Sequence, residues 1–239
     1  MPSTHVLEAH APVEAARRPR RSLRLIWQDE GSRRFVHVAT LSQVEAEHFV
    51  FRYEKGAGHE YFEPLAEFPE LDRVYTVNSL PAFFSNRAMS PRRASYPQYC
   101  SWLGLSELPT PMEILARSGG GRATDTFHVV DEFIPVNGQV EGFFLVSGVR
   151  HKASDNALSN LCEDERLLLV PEPDNRVNPQ AILLSAASGE LVGYVPDWLL
   201  DDVYGWGLAN TIVRVAQVNT EAPAHLRLLC RIQANLSQS

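Results

Sequence analysis

The sequence predicts a β-rich α+β protein: an antiparallel α+β unit in the N-terminal half, then a small barrel or sandwich with helices in the C-terminal half. Three observations predict it. The 239 residues are 44% hydrophobic, enough for a real core. Sixteen prolines and fourteen glycines against 9% aromatic residues argue for many short elements rather than a long helical bundle. Two series of short β-branched and aromatic runs flank the Pro-, Asn- and Gly-bearing segment DEFIPVNGQVEG at 131–142.

In chain order, residues 1–21 mix Ala, Pro, Glu and Arg without periodicity and end in Arg17, Arg18, Arg20 and Arg21. They read as a flexible basic leader, either a solvated tail or a phosphate contact. LRLIW (23–27), FVHVATL (35–41) and HFVFRY (48–53) read as an antiparallel meander. A loop through 54–75 follows, then short amphipathic helices over 79–89 and 95–105. Thr110 is an N-cap with Pro111 at the first helical position; the helix runs to Arg117, stops at Gly119–Gly121, and is followed by a closing strand through Phe127. That completes a unit over 22–134.

The second unit, 138–239, has strands at 142–149, 165–172, a hairpin over 181–196 turning at Ser188 and Gly189, then 211–218 and 225–232. Helical stretches fall at 154–161 and 196–206. No internal repeat is present.

Charge and motifs exclude several function classes. The net charge of −7 denies the molecule a broad attraction to phosphates. There is no phosphate loop, nucleophile elbow, zinc-protease or kinase motif, so the chain reads as non-enzymatic with no cofactor. SGGGR at 118–122 follows a helix instead of opening one, so it reads as a C-cap and turn, not an anion cradle. Cys100, Cys162 and Cys230 lack metal-ligand spacing and read as buried free thiols in a reducing compartment. With no long apolar run, the expected location is cytoplasmic, without membrane contact.

The most specific pattern is GVRH (148–151), EPDNRVNPQA (172–181) and GYVP (193–196), each at an expected strand end. Together these resemble a HIRAN domain over about residues 141–235. The resemblance implies an OB-like six-stranded barrel with two helices and a pocket for the 3′ end of single-stranded DNA. It places Arg150 at a phosphate-contacting position, His151 at a stacking position and Asn175 at a base-contacting position. Val177 stands where a second stacking tyrosine would be, Asn178 where an aspartate would grip the 3′ hydroxyl, and Tyr194 where a histidine would face the phosphates. Asp197 replaces a lysine.

Read without any family, Asn175 and Asn178 are equally turn formers that satisfy local backbone groups. Arg150, His151 and Tyr194 supply a cation and two flat rings, the parts of a groove that stacks a base and holds its phosphate. Residues 138–239 carry seven Lys and Arg against twelve Asp and Glu, so binding to single-stranded or damaged DNA ends is expected to be local and weak.

SLPAFFSNRAMSPRR and the WLGLSELPTPMEILARSGGGRATDTFHVV stretch resemble the N-terminal subdomain of HipA-type toxin kinases, over about residues 22–132. The kinase body is missing, and the resemblance implies at most a protein partner docked on this unit. The two expectations, a DNA-end binder and a protein-interaction regulator, differ in what they require. The first needs a basic groove at Arg150, Lys152 and Arg176; the second needs an exposed apolar patch on 79–105.

Overall fold

The computed structural model describes residues 20–106 and 108–236. All but the last two residues of the expected leader therefore lie outside the described residues. The chain forms two antiparallel sheets with short helices, a β-rich α+β fold.

The first sheet holds β1 (Arg21–Gln28), β2 (Phe35–Glu45), β3 (His48–Tyr53), β4 (Tyr75–Val77) and β5 (Phe127–Asp131) in the order β4-β3-β2-β1-β5. Leu25 stands opposite Ala39 on one side and Val129 on the other, so alternate residues enter one core. That core stacks Phe51 on Phe68 at 4.0 Å and closes over Phe84, which is fully buried. Each such side chain contributes about 1.5–3 kcal/mol by leaving water. The expected three-strand meander is present; β4 falls at the end of what read as loop.

Of the helices, α1 (Ala82–Ser85) is far shorter than the expected 79–89. One turn cannot hold itself by its own hydrogen bonds, and α1 stands by burial of Phe84. Next come α2 (Tyr96–Trp102) and α3 (Pro111–Ser118). Helix α3 matches its reading closely: Thr110 and Glu113 form a reciprocal capping box, and Gly119 ends the helix at φ +75°.

The second sheet has six strands. They are β6 (Gln139–Leu145), β7 (Arg166–Pro171), β8 (Ile182–Ser185), β9 (Leu191–Tyr194), β10 (Thr211–Val218) and β11 (Leu228–Asn235), in the order β6-β11-β10-β7-β8-β9. The sheet curls until its edges meet: the Ser147 and Tyr194 N–H groups each donate to the other residue's carbonyl, at 2.9 and 2.8 Å. Around it lie α4 (Val149–Lys152), α5 (Asp155–Asn160) and α6 (Leu200–Trp206).

Two expectations need correction. The strand expected over 142–149 stops at Leu145, because Gly148 at φ +67° turns the chain into α4. Arg150 and His151 therefore project from a helical turn, not from a strand end. Cys100 and Cys230 are buried thiols, but Cys162 is exposed, in the turn that follows α5.

The two sheets share contacts. Tyr96, Cys100, Leu103 and Ile114 form a third apolar cluster with Ala222 and Leu226. The Asn219 amide donates to the carbonyls of Trp102 and Leu226, each at 2.8 Å. Arg24 pairs with Asp202 at 2.7 Å, and the Arg117 guanidinium lies 3.5 Å from the Phe143 ring centre. Phe133, before the expected boundary, packs over Gly142 and into the second sheet's core, beside Trp198 and Trp206.

Candidate nucleic-acid interface

The barrel mouth is built at the closing bridge. Gly193 sits at φ +136°, and a Cβ there would lie 2.5 Å from Val146 Cγ1 and 2.6 Å from the Ser147 carbonyl oxygen. Only glycine lets the two edges approach this closely. A Cβ on Gly148 would come within 3.1 Å of Tyr194, so the missing side chain leaves room for that ring.

Tyr194 is half-buried, and its hydroxyl donates to Glu172 Oε2 at 2.9 Å. The Asn175 amide donates to the same oxygen at 2.9 Å. Asn175 Oδ1 then accepts from the N–H groups of Val177 and Asn178, at 2.9 and 3.1 Å, and Asn178 Oδ1 accepts from Gln180 N–H at 3.0 Å. The turn-forming reading of the two asparagines is thus realised. The Asn175 amide, the Tyr194 hydroxyl and then the Lys152 charge hold the Glu172 carboxyl below the usual glutamate range.

Asn178 also bonds the Asp197 side chain. Lost hydration raises the Asp197 carboxyl above its ordinary value, and the Asn178 bond opposes that rise. Lys152 lies with Nζ 5.2 Å from the Tyr194 ring centre, and Tyr194 raises the ammonium above the usual lysine value.

Of the five residues singled out in sequence, Asn175, Asn178 and Tyr194 come together on one cleft. Arg150 and His151 do not line it. They are exposed on α4, and Arg150 makes no ion pair or hydrogen bond among the described residues. Val177, 92% exposed, borders the cleft as bare apolar surface where the family pattern would set a ring.

The cleft, about 670 Å³, lies between the two sheets. That is ordinary for a small-ligand pocket, about 300–1,000 Å³. Its other wall belongs to the first unit: Tyr99, the Gly119–Gly121 run and His128. Arg87 fixes this wall. Its guanidinium, 3% exposed, grips Asp125 through both Nη atoms at 3.1 and 2.6 Å and donates to the Gly120 carbonyl at 3.1 Å. Sequence reading missed His128, because nothing local marks a strand histidine as a cleft residue; only the docking of the two units shows it. SGGGR is the C-cap it read as, and it is a cleft wall as well.

A second cavity of about 760 Å³ lies in the first unit, beside Trp27, Tyr61 and Phe127. Asp29, Glu30 and Glu63 line it, so it repels phosphate. None of the large exposed apolar side chains falls within 79–105, where Phe84 is fully buried. Among the described residues no group of three or more His, Cys, Asp or Glu could hold a metal ion. No helix among them is long and apolar enough to cross a membrane.

No family model matches the sequence, and no curated protein matches it. Two solved structures are similar to part of the chain. One, a protein from Lactobacillus plantarum, has a TM-score of 0.32 at 17% identity, covering 41% of this chain and 97% of that chain. The other, the HIRAN domain of human HLTF, has a TM-score of 0.28 at 16% identity, covering 41% of this chain and 77% of that chain.

Proposed function

We propose that the protein binds the end of a single-stranded nucleic acid at the barrel mouth, without catalysis. The observation that carries the proposal is the meeting of the Asn175–Asn178 turn, the Tyr194 ring and the Lys152 ammonium at one opening. The cleft behind that opening has room for a terminal nucleotide. Lys152 stands at its edge over the Tyr194 ring, Arg150 is exposed on the same helical turn, and the exposed Arg176 follows Asn175 on the loop. Glu172 and Asp197 oppose them, so attraction is confined to the rim and binding is weak and salt-sensitive.

The proposal reassigns roles within the motif. Asn175 and Glu172 hold the mouth in shape, because their polar atoms are committed to each other and to Tyr194. Arg150, free of protein partners among the described residues, is the phosphate contact.

Titration of labelled oligonucleotides tests this: single strands with free or blocked 3′ ends, and a duplex, at two salt concentrations. Single strands with a free end bind best, and Arg150→Ala weakens binding by about 1–3 kcal/mol. Equal binding of duplex and single strand, or none of either, sinks the proposal.

A further inference from the structure

The mouth is a poor reader of a base. Asn175 and Tyr194 spend their polar atoms on Glu172 and the turn, and Asn178 spends its own on Gln180 and Asp197. A base entering the cleft therefore finds Asn175, Asn178 and Tyr194 already engaged on that side, where the unspent side chains include those of Trp198 and His225. The opposite wall differs. The His128 ring makes no hydrogen bond among the described residues, and neither does the backbone N–H of Gly121. Both residues line the cleft, side by side: a Cβ on Gly121 would lie 3.5 Å from His128 Nδ1.

The character of this wall suits a neutral, flat group. Three successive glycines leave it without projecting side chains from 119 to 121. Burial, and then the Arg87 charge, keep the His128 imidazole below its ordinary pKa, with Asp125 pulling the other way. A neutral ring offers one donor and one acceptor. Of the nearby cations, Arg87 is committed to Asp125 and Gly120, and Arg117 is held over the Phe143 ring with its Nη1 buried and without a hydrogen-bond partner. Phosphate belongs at the α4 rim and the base at the glycine wall.

Resting on the strand-end reading, we infer that the site is composite: the terminal base lies against the first unit's wall, where the His128 ring nitrogen and the Gly121 N–H meet its polar edge. The second unit shapes the mouth and holds the phosphate, and the first unit reads the base. Base readout through exposed polar edges is the usual mode for unpaired strands. It requires donors and acceptors not already satisfied.

The test uses the full chain and two 5′-labelled single strands, identical except that one ends in a 3′ nucleotide with its base and the other in an abasic residue. Removing the base weakens binding to the wild type about tenfold, within the range for one held base. His128→Phe keeps the ring volume and its contact with Phe35 but removes both nitrogens. It weakens binding of the base-ended strand about tenfold, the loss of one buried hydrogen bond, and leaves the abasic strand unchanged.

Gly121→Leu sends a side chain into the cleft from a backbone that tolerates it, since its nearest neighbours lie at 3.5–3.6 Å. It lowers affinity for the base-ended strand at least as much. Wild-type affinity of both variants for the base-ended strand, with unchanged melting temperatures, overturns this inference and leaves the strand-end reading standing. Failure of the wild type to bind either strand overturns both.

Discussion

On one side of the cleft Asp125 takes both ends of a guanidinium that is 3% exposed; on the other, Glu172 gathers an amide and a hydroxyl at the rim, within the field of the Lys152 charge. Both carboxylates do the same task, fixing a loop that lines the cleft. Their surroundings differ. Removing one partner of a buried pair leaves a desolvated charge with no compensation, whereas a rim carboxylate leaves groups that water can satisfy. The first wall is held by a strong, all-or-none contact and the second by several weak ones. The wall that must keep free polar atoms in place has the stronger support.

The largest effect that breaks this contrast is Asp125→Ala. It strands the buried Arg87 charge and costs about 4 kcal/mol in urea denaturation. A loss below 1 kcal/mol would show that water reaches Arg87. Gly193→Ala follows at about 3 kcal/mol, from a strained φ and a Cβ driven into Val146 and the Ser147 carbonyl. Gly189→Ala, in the same hairpin with nothing within 4 Å, bears the φ strain alone and costs less by the same measurement. Glu172→Gln keeps a hydrogen-bonding group at the mouth and costs about 1 kcal/mol.

The smallest effect sharpens the contrast by pH. His128 and His37, both in the first unit, are depressed by burial, so the unfolded chain takes up protons first. Stability falls as pH drops through about 6.5 and levels off once the folded imidazoles are protonated. Glu172 is also depressed, but it is an acid. Its contribution is whole above about pH 5, shrinks below the ordinary glutamate value of about 4.3, and is gone once the folded carboxyl is protonated. Melting temperatures from about pH 2 to 8 separate the windows: His128→Phe flattens part of the upper one, and Glu172→Gln changes only the lower.

What the sequence made legible follows the range of each interaction. Thr110, Pro111 and Gly119 were readable because a helix cap is settled within a few residues of chain. The alternating runs of β1 to β3 were readable because one buried face imposes period two. β4 was not, since Tyr75–Val77 is three residues whose strand character exists only against β3. Helix α4 was hidden because GFFLVSGV continues an apolar pattern across a glycine whose positive φ ends it. At the site, Asn175, Asn178 and Tyr194 stood out through the family pattern that the EPDNRVNPQA and GYVP segments resemble. His128 and Gly121 did not, because a wall made by docking two units leaves no local pattern.

The closing bridge between Ser147 and Tyr194 has a consequence for the chain's behaviour among its own copies. A six-stranded sheet left open would present β6 and β9 as two rows of unpaired backbone groups, templates for addition of a strand from another molecule. Two hydrogen bonds and the bare backbone of Gly193 join the chain after β6 to the end of β9 at a single residue pair. A substitution that breaks this bridge adds Ser147 and Tyr194 to the unpaired groups of those edges, which favours addition of a strand from another copy.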